Sequence, residues 1–231
     1  MSKIVSVETA ISNVKQYHTV MVGGFGVPGT PFTLIDALLA QNTTHLTLIK
    51  NEANIAGMGL SKLVENGNVD RLITSHLGLN KVVLGMMNRK EIEVEFSPQG
   101  ILAERIHCGG AGLLGFVTDI GIDTLLKQNK QIVNINGKKG LLETPLRADV
   151  ALIHAAFGDV MGNLRYEKSA RNFNPAMATA ADIVIAEVES IVEVGVLGAD
   201  DIHTPGAFVD YVVEIDELTS EYGILEDYVI G

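Results

Sequence analysis

The stretch TVMVGGFGVPGTPFTLIDALL, residues 19–39, decides the fold of this sequence. It opens on a mostly apolar run, Thr19 to Val22, that predicts a buried strand, and Phe32 to Leu39 has helical spacing. Between them lies the glycine-rich segment Gly23 to Pro31, whose backbone can approach a ligand without Cβ clashes. Strand, glycine loop and helix in this order favour a phosphate cradle, with a tight structural turn that binds nothing as the alternative.

The same segment matches the G-x-G-x-x-G dinucleotide fingerprint over Gly24 to Gly29, but two observations argue against NAD. Pro28 and Pro31 delay the helix, and Thr30 with Pro31 suits an N-cap and a first helical turn. The second strand ends in Lys50-Asn51-Glu52, whereas the fingerprint requires an acidic residue that binds the ribose at the strand end. We therefore expect the match to be accidental.

Short apolar runs alternate with helical patterns along the chain, and glycines and prolines mark their junctions. The nearly continuous apolar run Val150 to Phe157 is typical of a strand buried on both faces. Because no repeat or linker interrupts the chain, it predicts one α/β domain over residues 1–231. The predicted strands are Thr19–Val22, Leu46–Ile49, Val69–Thr74, Ile92–Phe96, Gln131–Ile135, Val150–Ala156, Ile183–Val188 and Phe208–Val213, and the predicted helices are Val7–Lys15, Phe32–Leu39, Lys81–Met87 and Leu102–His107.

The net charge is -11, and the acidity is confined to the C-terminal part. The first 171 residues carry 17 basic and 15 acidic side chains, whereas the last 60 carry 13 acidic side chains and no Lys or Arg. This charge argues against nucleic acid or an anionic membrane as the main partner. It does not exclude a phosphorylated small molecule bound by the near-neutral N-terminal part.

Cysteine and histidine usage points to a reducing compartment and to no metal site. The single cysteine, Cys108, cannot form an internal disulfide. The six histidines show no paired ligand spacing. Met1 to Ala10 lacks the apolar stretch of a signal peptide, and no run reaches the roughly 18 apolar residues of a membrane span. We expect a soluble, cytoplasmic protein.

Five further segments follow the glycine loop in order: ITSHLGLN (73–80), SPQGILAERIHCGGAG (97–112), TPLRADVALIHA (144–155), GNLRYEKSARNFNPAMATAA (162–181) and IHTPGAFVD (202–210). Together with GGFGVPGTP, they resemble the family I coenzyme A transferases, and within them the A (alpha) subunit of the 3-oxoacid and acetate/acetoacetate enzymes. The resemblance covers the chain from about Val20 to Val213.

This resemblance implies an α/β fold with a single open sheet flanked by helices, related in architecture to sugar-phosphate isomerase and deaminase folds. It implies an enzyme that moves CoA from an acyl-CoA to a free short-chain carboxylate or 3-oxoacid through a glutamyl-CoA thioester. The nucleophilic glutamate lies on the B (beta) subunit, so no catalytic residue is expected in this chain. CoA or acyl-CoA is implied as substrate, without a tightly bound cofactor. The implied assembly is a hetero-oligomer, such as a heterotetramer of two alpha and two beta subunits.

The resemblance also implies site residues. Asn51 and Gln99 are implied to bind substrate, with capping of the next helix as the alternative for Gln99. Glu52 departs from the family pattern, since relatives often carry Asn or Asp there, which puts substrate contacts of that loop in doubt. Arg171 fits a charge partner, a subunit contact or a core position. The implied CoA-binding residues are Gly23, Gly24, Phe25, Gly26, Val27, Pro28 and Gly29.

Other residues favour structural interpretations. Glu65, in Val64-Glu65-Asn66-Gly67, resembles the Glu-Asn-Gly motif around the family's nucleophile, but its place indicates a helix end capped by Asn66 and Gly67. We interpret Cys108 as a buried thiol and Met86-Met87 as part of the hydrophobic core. Glu91, Glu93 and Glu95 alternate with apolar residues and predict a strand with one solvated face.

Residues 214–231 form an acidic C-terminal extension beyond the last matching segment. Ile215, Leu218, Tyr222 and Leu225 follow helical spacing and form an apolar stripe that needs a surface. The extension either packs on this domain or helps to dock the partner subunit. Two other functions stay open: a sugar-phosphate isomerase or deaminase, and a CoA-binding module without catalysis. The acidic residues are Glu214, Asp216, Glu217, Glu221, Glu226 and Asp227.

Overall fold

The computed structural model describes residues 2–223. Within that range the chain forms six α-helices and eleven strands, together with short 3-10 turns. The helices are α1 (Val7–Ile11), α2 (Phe32–Gln41), α3 (Leu60–Glu65), α4 (Lys81–Asn88), α5 (Gln99–Gly110) and α6 (Asn174–Thr179). The strands are β1 (Thr19–Val22), β2 (Leu46–Ile49), β3 (Val69–Thr74), β4 (Glu93–Phe96), β5 (Phe116–Thr118), β6 (Ile132–Ile135), β7 (Lys138–Glu143), β8 (Ala148–Asp159), β9 (Leu164–Arg165), β10 (Ala181–Val192) and β11 (Tyr211–Glu214).

Seven parallel strands form the main sheet, in the order β11-β10-β8-β1-β2-β3-β4, and β9 adds an antiparallel edge to β8. The predicted α/β fold with an open sheet is confirmed. The chain moves outward from β1 in one direction through β4 and then returns to the other side of β1 at β8. This reversal places the end of β1 at the topological switch point, where open parallel sheets bind ligands.

A second, three-stranded antiparallel sheet, in the order β5-β7-β6, was not predicted. The predicted strand Gln131–Ile135 belongs to this sheet as β6 rather than to the main sheet. Its strands are short and largely exposed or half-buried, so their sequences lack the apolar run of a buried strand.

Helices cover both faces of the main sheet. Successive residues of a strand point to opposite faces, so neighbouring side chains pack against different helices. Val20 and Val22 pack with side chains of α1, α2, α3 and α4. Met21, between them, packs with side chains of α5 and α6 on the opposite face. This two-sided burial explains why the central strands are continuous apolar runs.

A buried histidine and two glutamates join β8 to β10. His154 Nδ1 lies 2.9 Å from Glu187 Oε1, and its Nε2 lies 3.1 Å from Glu189 Oε1. Burial by itself lowers the pKa of His154, but the hydrogen bonds to both carboxylates outweigh that effect and raise the pKa to about 9. The raised pKa of His154 favours its protonated form, which pairs with both carboxylates, while burial raises the pKa of Glu187 as well.

Glu187 also caps α2, the helix after the glycine loop. Its Oε2 accepts the amide hydrogen of Leu34 at 3.0 Å, which places a carboxylate at the positive end of the helix dipole. The prediction that Thr30 caps this helix is wrong. The Thr30 hydroxyl donates to Gly26 O at 2.8 Å instead, and the N-cap residue is Pro31, which has no capping side chain.

The described part of the acidic extension packs on this domain. Tyr222 donates its hydroxyl to Thr30 O, and its ring meets Phe32 edge-to-face with centroids 4.9 Å apart. Glu221 pairs with Lys62 at 2.8 Å and accepts the Gly59 amide at 3.3 Å. Leu225, Glu226 and Asp227 lie outside the described residues, and docking of the partner by the extension stays a prediction.

Gly109, in α5, allows that helix to approach the chain just before β8. A Cβ at Gly109 would lie 1.9 Å from Leu146 O, whereas a Cβ at Gly100 in the same helix would meet nothing within 4 Å. We expect Gly109→Ala to cost about 1–3 kcal/mol of unfolding free energy and Gly100→Ala to stabilise by about 0.5–1 kcal/mol. Urea unfolding measures both, and equal effects of the two substitutions would contradict this packing.

The pKa of His154 predicts an alkaline loss of stability. Since the folded pKa of about 9 lies above the usual value of 6.5, the stabilisation is fully present below about pH 6.5 and disappears as pH rises through 9. Glu189→Gln removes one carboxylate, so the loss should begin at lower pH. Thermal unfolding from pH 6 to 10 measures this, with the exposed Glu193→Gln as control. Superimposable profiles of the wild type and Glu189→Gln would exclude this role of the ion pairs.

Candidate functional site

Polar residues that follow four adjacent parallel strands meet at one edge of the main sheet. The glycine loop follows β1, Lys50-Asn51-Glu52 follows β2, Ser75 follows β3, and Gln99 lies just beyond β4. The carboxyl ends of parallel strands share an edge, which is where ligands bind in such sheets. The structure thus brings together Gly26, Asn51 and Gln99, which come from three separate segments.

Glu52 is the centre of this arrangement, and it is only 4% exposed. Its Oε1 accepts the Gly26 amide at 3.0 Å and faces Lys50 Nζ at 3.2 Å. Its Oε2 accepts from Asn51 Nδ2 at 2.6 Å. Glu52 therefore ties the glycine loop to the predicted substrate-binding asparagine, Asn51.

Asn51 in turn holds Gln99. The Nε2 of Gln99 donates to Asn51 Oδ1 at 3.0 Å, and the Ser75 hydroxyl lies 3.0 Å from the same oxygen. Gln99 begins α5 but does not cap it, since its side chain donates to Asn51 and the N-cap residue Pro98 makes no capping hydrogen bond. Asn51 is completely buried whereas Gln99 is exposed, so Gln99 is the side chain of this pair that a ligand can reach.

Lys50 is completely buried, and its environment explains how a charge is tolerated there. Burial lowers the pKa of Lys50, and the Glu52 carboxylate opposes that effect. Lys50 Nζ also donates to Thr30 Oγ1 at 3.1 Å, so it holds the glycine loop at a second point. A buried amine with two such partners is typical of a site whose geometry is fixed in advance.

The chain's own packing accounts for most glycines of the loop. A Cβ at Gly23 would lie 1.8 Å from Asn174 Oδ1, and Gly24 and Gly29 are similarly crowded by Thr30 and Ala170. Gly26 differs, because its φ of +63° favours glycine while the nearest atom to a Cβ would be 4.0 Å away. The open side of the loop is therefore at Gly26, beside the exposed ring of Phe25.

Several backbone amides of the loop are already used within the protein. Gly23 donates to Leu152 O at 2.9 Å, Phe25 to Pro28 O at 3.1 Å, and Gly26 to Glu52. Glu187 likewise occupies the start of α2. If these amides and this helix end bound a phosphate, those hydrogen bonds would have to break. The prediction of CoA binding therefore rests more on the shape of the loop than on its N–H groups. Binding of CoA by residues 23–29 stays a prediction.

Two asparagines of the SARNFNP segment hold the loop from its other side. Asn172 Nδ2 donates to Pro28 O at 2.9 Å, and Asn174 Nδ2 donates to Gly29 O at 3.1 Å. Sequence reasoning singled out Arg171 in this segment, but Arg171 is exposed, which excludes the core position considered for it. Asn172 and Asn174 lie far from the glycine loop in the sequence. Only the folded structure shows that they contact it.

Other side chains take structural positions. Glu65 ends α3 with Asn66 as C-cap and accepts the Gly57 amide at 2.8 Å, as the interpretation of a helix end predicts. Cys108 is buried and unpaired. Glu95 differs from the prediction of a solvated face, because Arg71 and Arg105 each pair with it at 2.6 Å.

Residues 2–223 contain neither a metal cluster nor a membrane-spanning helix. No three His, Cys, Asp or Glu side chains come together there as metal binding would require. No helix in this range is long and apolar enough to span a bilayer.

Comparisons with known proteins identify the family of this chain. A profile of the Coenzyme A transferase family matches residues 4–215. The acetate CoA-transferase alpha subunit of Escherichia coli K12 is 44% identical over 216 residues, covering 94% of this chain and 98% of that protein. The corresponding subunit of a succinyl-CoA:3-ketoacid coenzyme A transferase from Xanthomonas campestris is 46% identical, covering 85% and 81%.

A solved structure supports the fold. An acyl-CoA transferase of Escherichia coli O157:H7, crystallised as a thioester complex with CoA, superposes with a TM-score of 0.86 at 23% identity over 94% of this chain. This chain spans 48% of the length of that enzyme chain. The family match over most of the sequence and the curated relatives establish that this chain belongs to the Coenzyme A transferase family, as a subunit of the alpha type.

Proposed function

We propose that this chain, with a beta subunit, moves CoA from an acyl-CoA to a free short-chain carboxylate or a 3-oxoacid. The observation that carries the proposal is the exposed Gln99 carboxamide, linked through Asn51 and Glu52 to the open side of the glycine loop. A fixed N–H donor suits a carboxylate oxygen as its acceptor. The names of the relatives support acetate and 3-ketoacids as the classes of acceptor.

The nucleophile in this proposal is a glutamate of the partner subunit. Glu52 is unsuited to the task, since it is buried and its oxygens accept hydrogen bonds from Gly26, Lys50 and Asn51. In the first half-reaction, a carboxylate oxygen of the partner's glutamate attacks the acyl carbonyl of acyl-CoA and the CoA thiolate leaves, which gives a mixed anhydride. The thiolate then attacks the glutamyl carbonyl, which gives the glutamyl-CoA thioester and releases the first carboxylate with the glutamate's oxygen. In the second half-reaction, the incoming carboxylate reverses these two steps and leaves as its CoA thioester, which restores the glutamate. Each half-reaction breaks one C–S and one C–O bond and forms one of each, so no oxidant or reductant is needed.

CoA is the substrate in this account, without a tightly bound cofactor. Phe25 is 46% exposed at the tip of the glycine loop, beside Gly26. An exposed aromatic ring next to an open backbone position offers a surface for part of the CoA molecule. Residues 23–29 would then bind CoA mainly through the shape of the loop.

The assembly and the location are also proposed. The alpha-subunit names of the relatives support a beta-subunit partner, and we propose a heterotetramer of two alpha and two beta subunits. A cytoplasmic location fits the single unpaired cysteine. The alternative of a sugar-phosphate enzyme loses its main support, since Glu187 already occupies the helix end that would bind the phosphate.

The division of labour is tested with separately purified subunits. We expect no CoA exchange between acetyl-CoA and acetoacetate with this chain alone, and exchange once its beta subunit is added. Activity of the isolated chain would contradict the placement of the nucleophile. A complex that binds CoA but never exchanges it would support the non-catalytic binding module instead.

The role of Gln99 is tested by Gln99→Ala in the complex. Losing one hydrogen bond to a charged group should reduce kcat/KM for the carboxylate by about tenfold to a hundredfold. Gln128→Ala, which removes an exposed glutamine far along the chain, should leave kcat/KM unchanged. Equal activities of the two variants would show that Gln99 does not bind substrate.

A further inference from the structure

A chain of hydrogen bonds runs from a buried lysine to the exposed Gln99. Lys50 faces Glu52 at 3.2 Å, Glu52 accepts from Asn51 at 2.6 Å, and Asn51 accepts from Gln99 at 3.0 Å. Lys50, Asn51 and Glu52 are buried, so water competes little for these contacts.

The direction of every bond in this chain is determined at its buried end. The backbone N–H of Gly26 can only donate, and it shares Glu52 Oε1 with Lys50. Lys50 also donates to Thr30 Oγ1, because the Thr30 hydroxyl is already committed to Gly26 O. Two donors at Oε1 require an acceptor oxygen at residue 52, and the Glu52 carboxyl group supplies it.

The remaining directions follow in sequence. The Glu52 carboxylate presents its other oxygen to Asn51, so the amide of Asn51 must turn its Nδ2 towards Glu52 and its Oδ1 away. The Ser75 hydroxyl lies 3.0 Å from the same oxygen but closer to the backbone oxygen Asn51 O, at 2.7 Å, so the orientation of the Asn51 amide rests on Glu52. Gln99 then has to meet Asn51 Oδ1 with its Nε2.

We propose that Lys50 and Glu52 are positioning residues that determine which way the Gln99 carboxamide faces. The proposal rests on the proposed function, in which Gln99 contacts the carboxylate substrate. Neither Lys50 nor Glu52 touches that substrate. They act through Asn51, so that Gln99 keeps one defined N–H and its Oε1 for the ligand.

The Glu52→Gln substitution should reverse the donor and acceptor roles along this chain of hydrogen bonds without displacing the side chains. Gly26 and Lys50 would hold the Oε1 of the new side chain, whose amide nitrogen would then face Asn51. Asn51 would rotate and offer Nδ2 to residue 99, where an acceptor would be preferred. Glu52→Asp retains the charge and the original direction.

A double-mutant cycle between positions 52 and 99 tests the reversal by thermal unfolding of the chain, without reference to activity. Gln99→Glu places an acceptor against Asn51 Oδ1. It should therefore lower the midpoint temperature of unfolding by about 2–4 °C in the wild-type and Glu52→Asp backgrounds. In the Glu52→Gln background the same change should have no cost. Independent effects of the two substitutions would overturn the proposal.

Two controls keep the result specific. Repulsion between two carboxylates would give a similar coupling, but it weakens with salt, so the cycle is run at about 0.05 M and 0.5 M NaCl. Coupling that vanishes in high salt would also overturn the proposal.

If Glu52→Gln does not fold, Gln99→Lys is compared with Gln99→Glu. The donor-only lysine should be more stable although a helix start favours glutamate, and the reverse order would contradict the proposal.

A kinetic measurement links the chain of bonds to function. In the alpha–beta complex, Glu52→Gln should raise KM for the carboxylate by about two- to tenfold with a smaller change in kcat, and Glu52→Asp should restore KM. Glu65→Gln makes the same chemical change outside this chain of bonds and should leave KM unchanged. An unaltered KM in Glu52→Gln refutes the positioning role, whereas a wild-type complex without exchange activity refutes the proposed function.

Discussion

The buried contact between Lys50 and Glu52 is the interaction on which the site depends. It joins the end of β2 to the loop after β1, since Lys50 holds Thr30 and Glu52 holds the Gly26 amide. Through Asn51 it also reaches the ends of β3 and β4. A buried ion pair is weak evidence for net stability, but removing one partner leaves an uncompensated charge and costs about 3–5 kcal/mol. Its contribution here is to geometry and bond direction.

A second set of contacts holds the glycine loop from the opposite side of β1. His154, Glu187 and Tyr222 connect β8, β10 and the start of the C-terminal extension to α2. Asn172 and Asn174 bind the carbonyl oxygens of Pro28 and Gly29. The loop is therefore pinned on both sides before any ligand arrives, which reduces the ordering cost of binding. Glu187, Glu189 and Glu221 each pair with other residues of the domain, so the negative charge of the C-terminal part is not simply a solvated surface.

The sequence predicts much of this fold because short apolar runs bounded by polar residues or glycine are typical of buried strands. The bounds of β1, β2 and β3 are predicted to the residue. The helices α3 and α6 have six residues each and no clear periodicity; only the end of α3, at Glu65 with its cap, was predicted, and α6 was not. Gly26, Asn51 and Gln99 were found through the family resemblance. The parts played by Lys50, Glu52 and Glu187 could not be predicted, because each depends on a contact made only after distant segments fold together.

In the proposed function, this chain supplies a fixed binding edge and a partner subunit supplies the covalent chemistry. The most direct test is the mass of each subunit, measured under denaturing conditions after the alpha–beta complex has been incubated with acyl-CoA and no acceptor. We expect CoA to become covalently attached to the beta subunit while the mass of this chain stays unchanged. Attachment of CoA to this chain would contradict the proposed function.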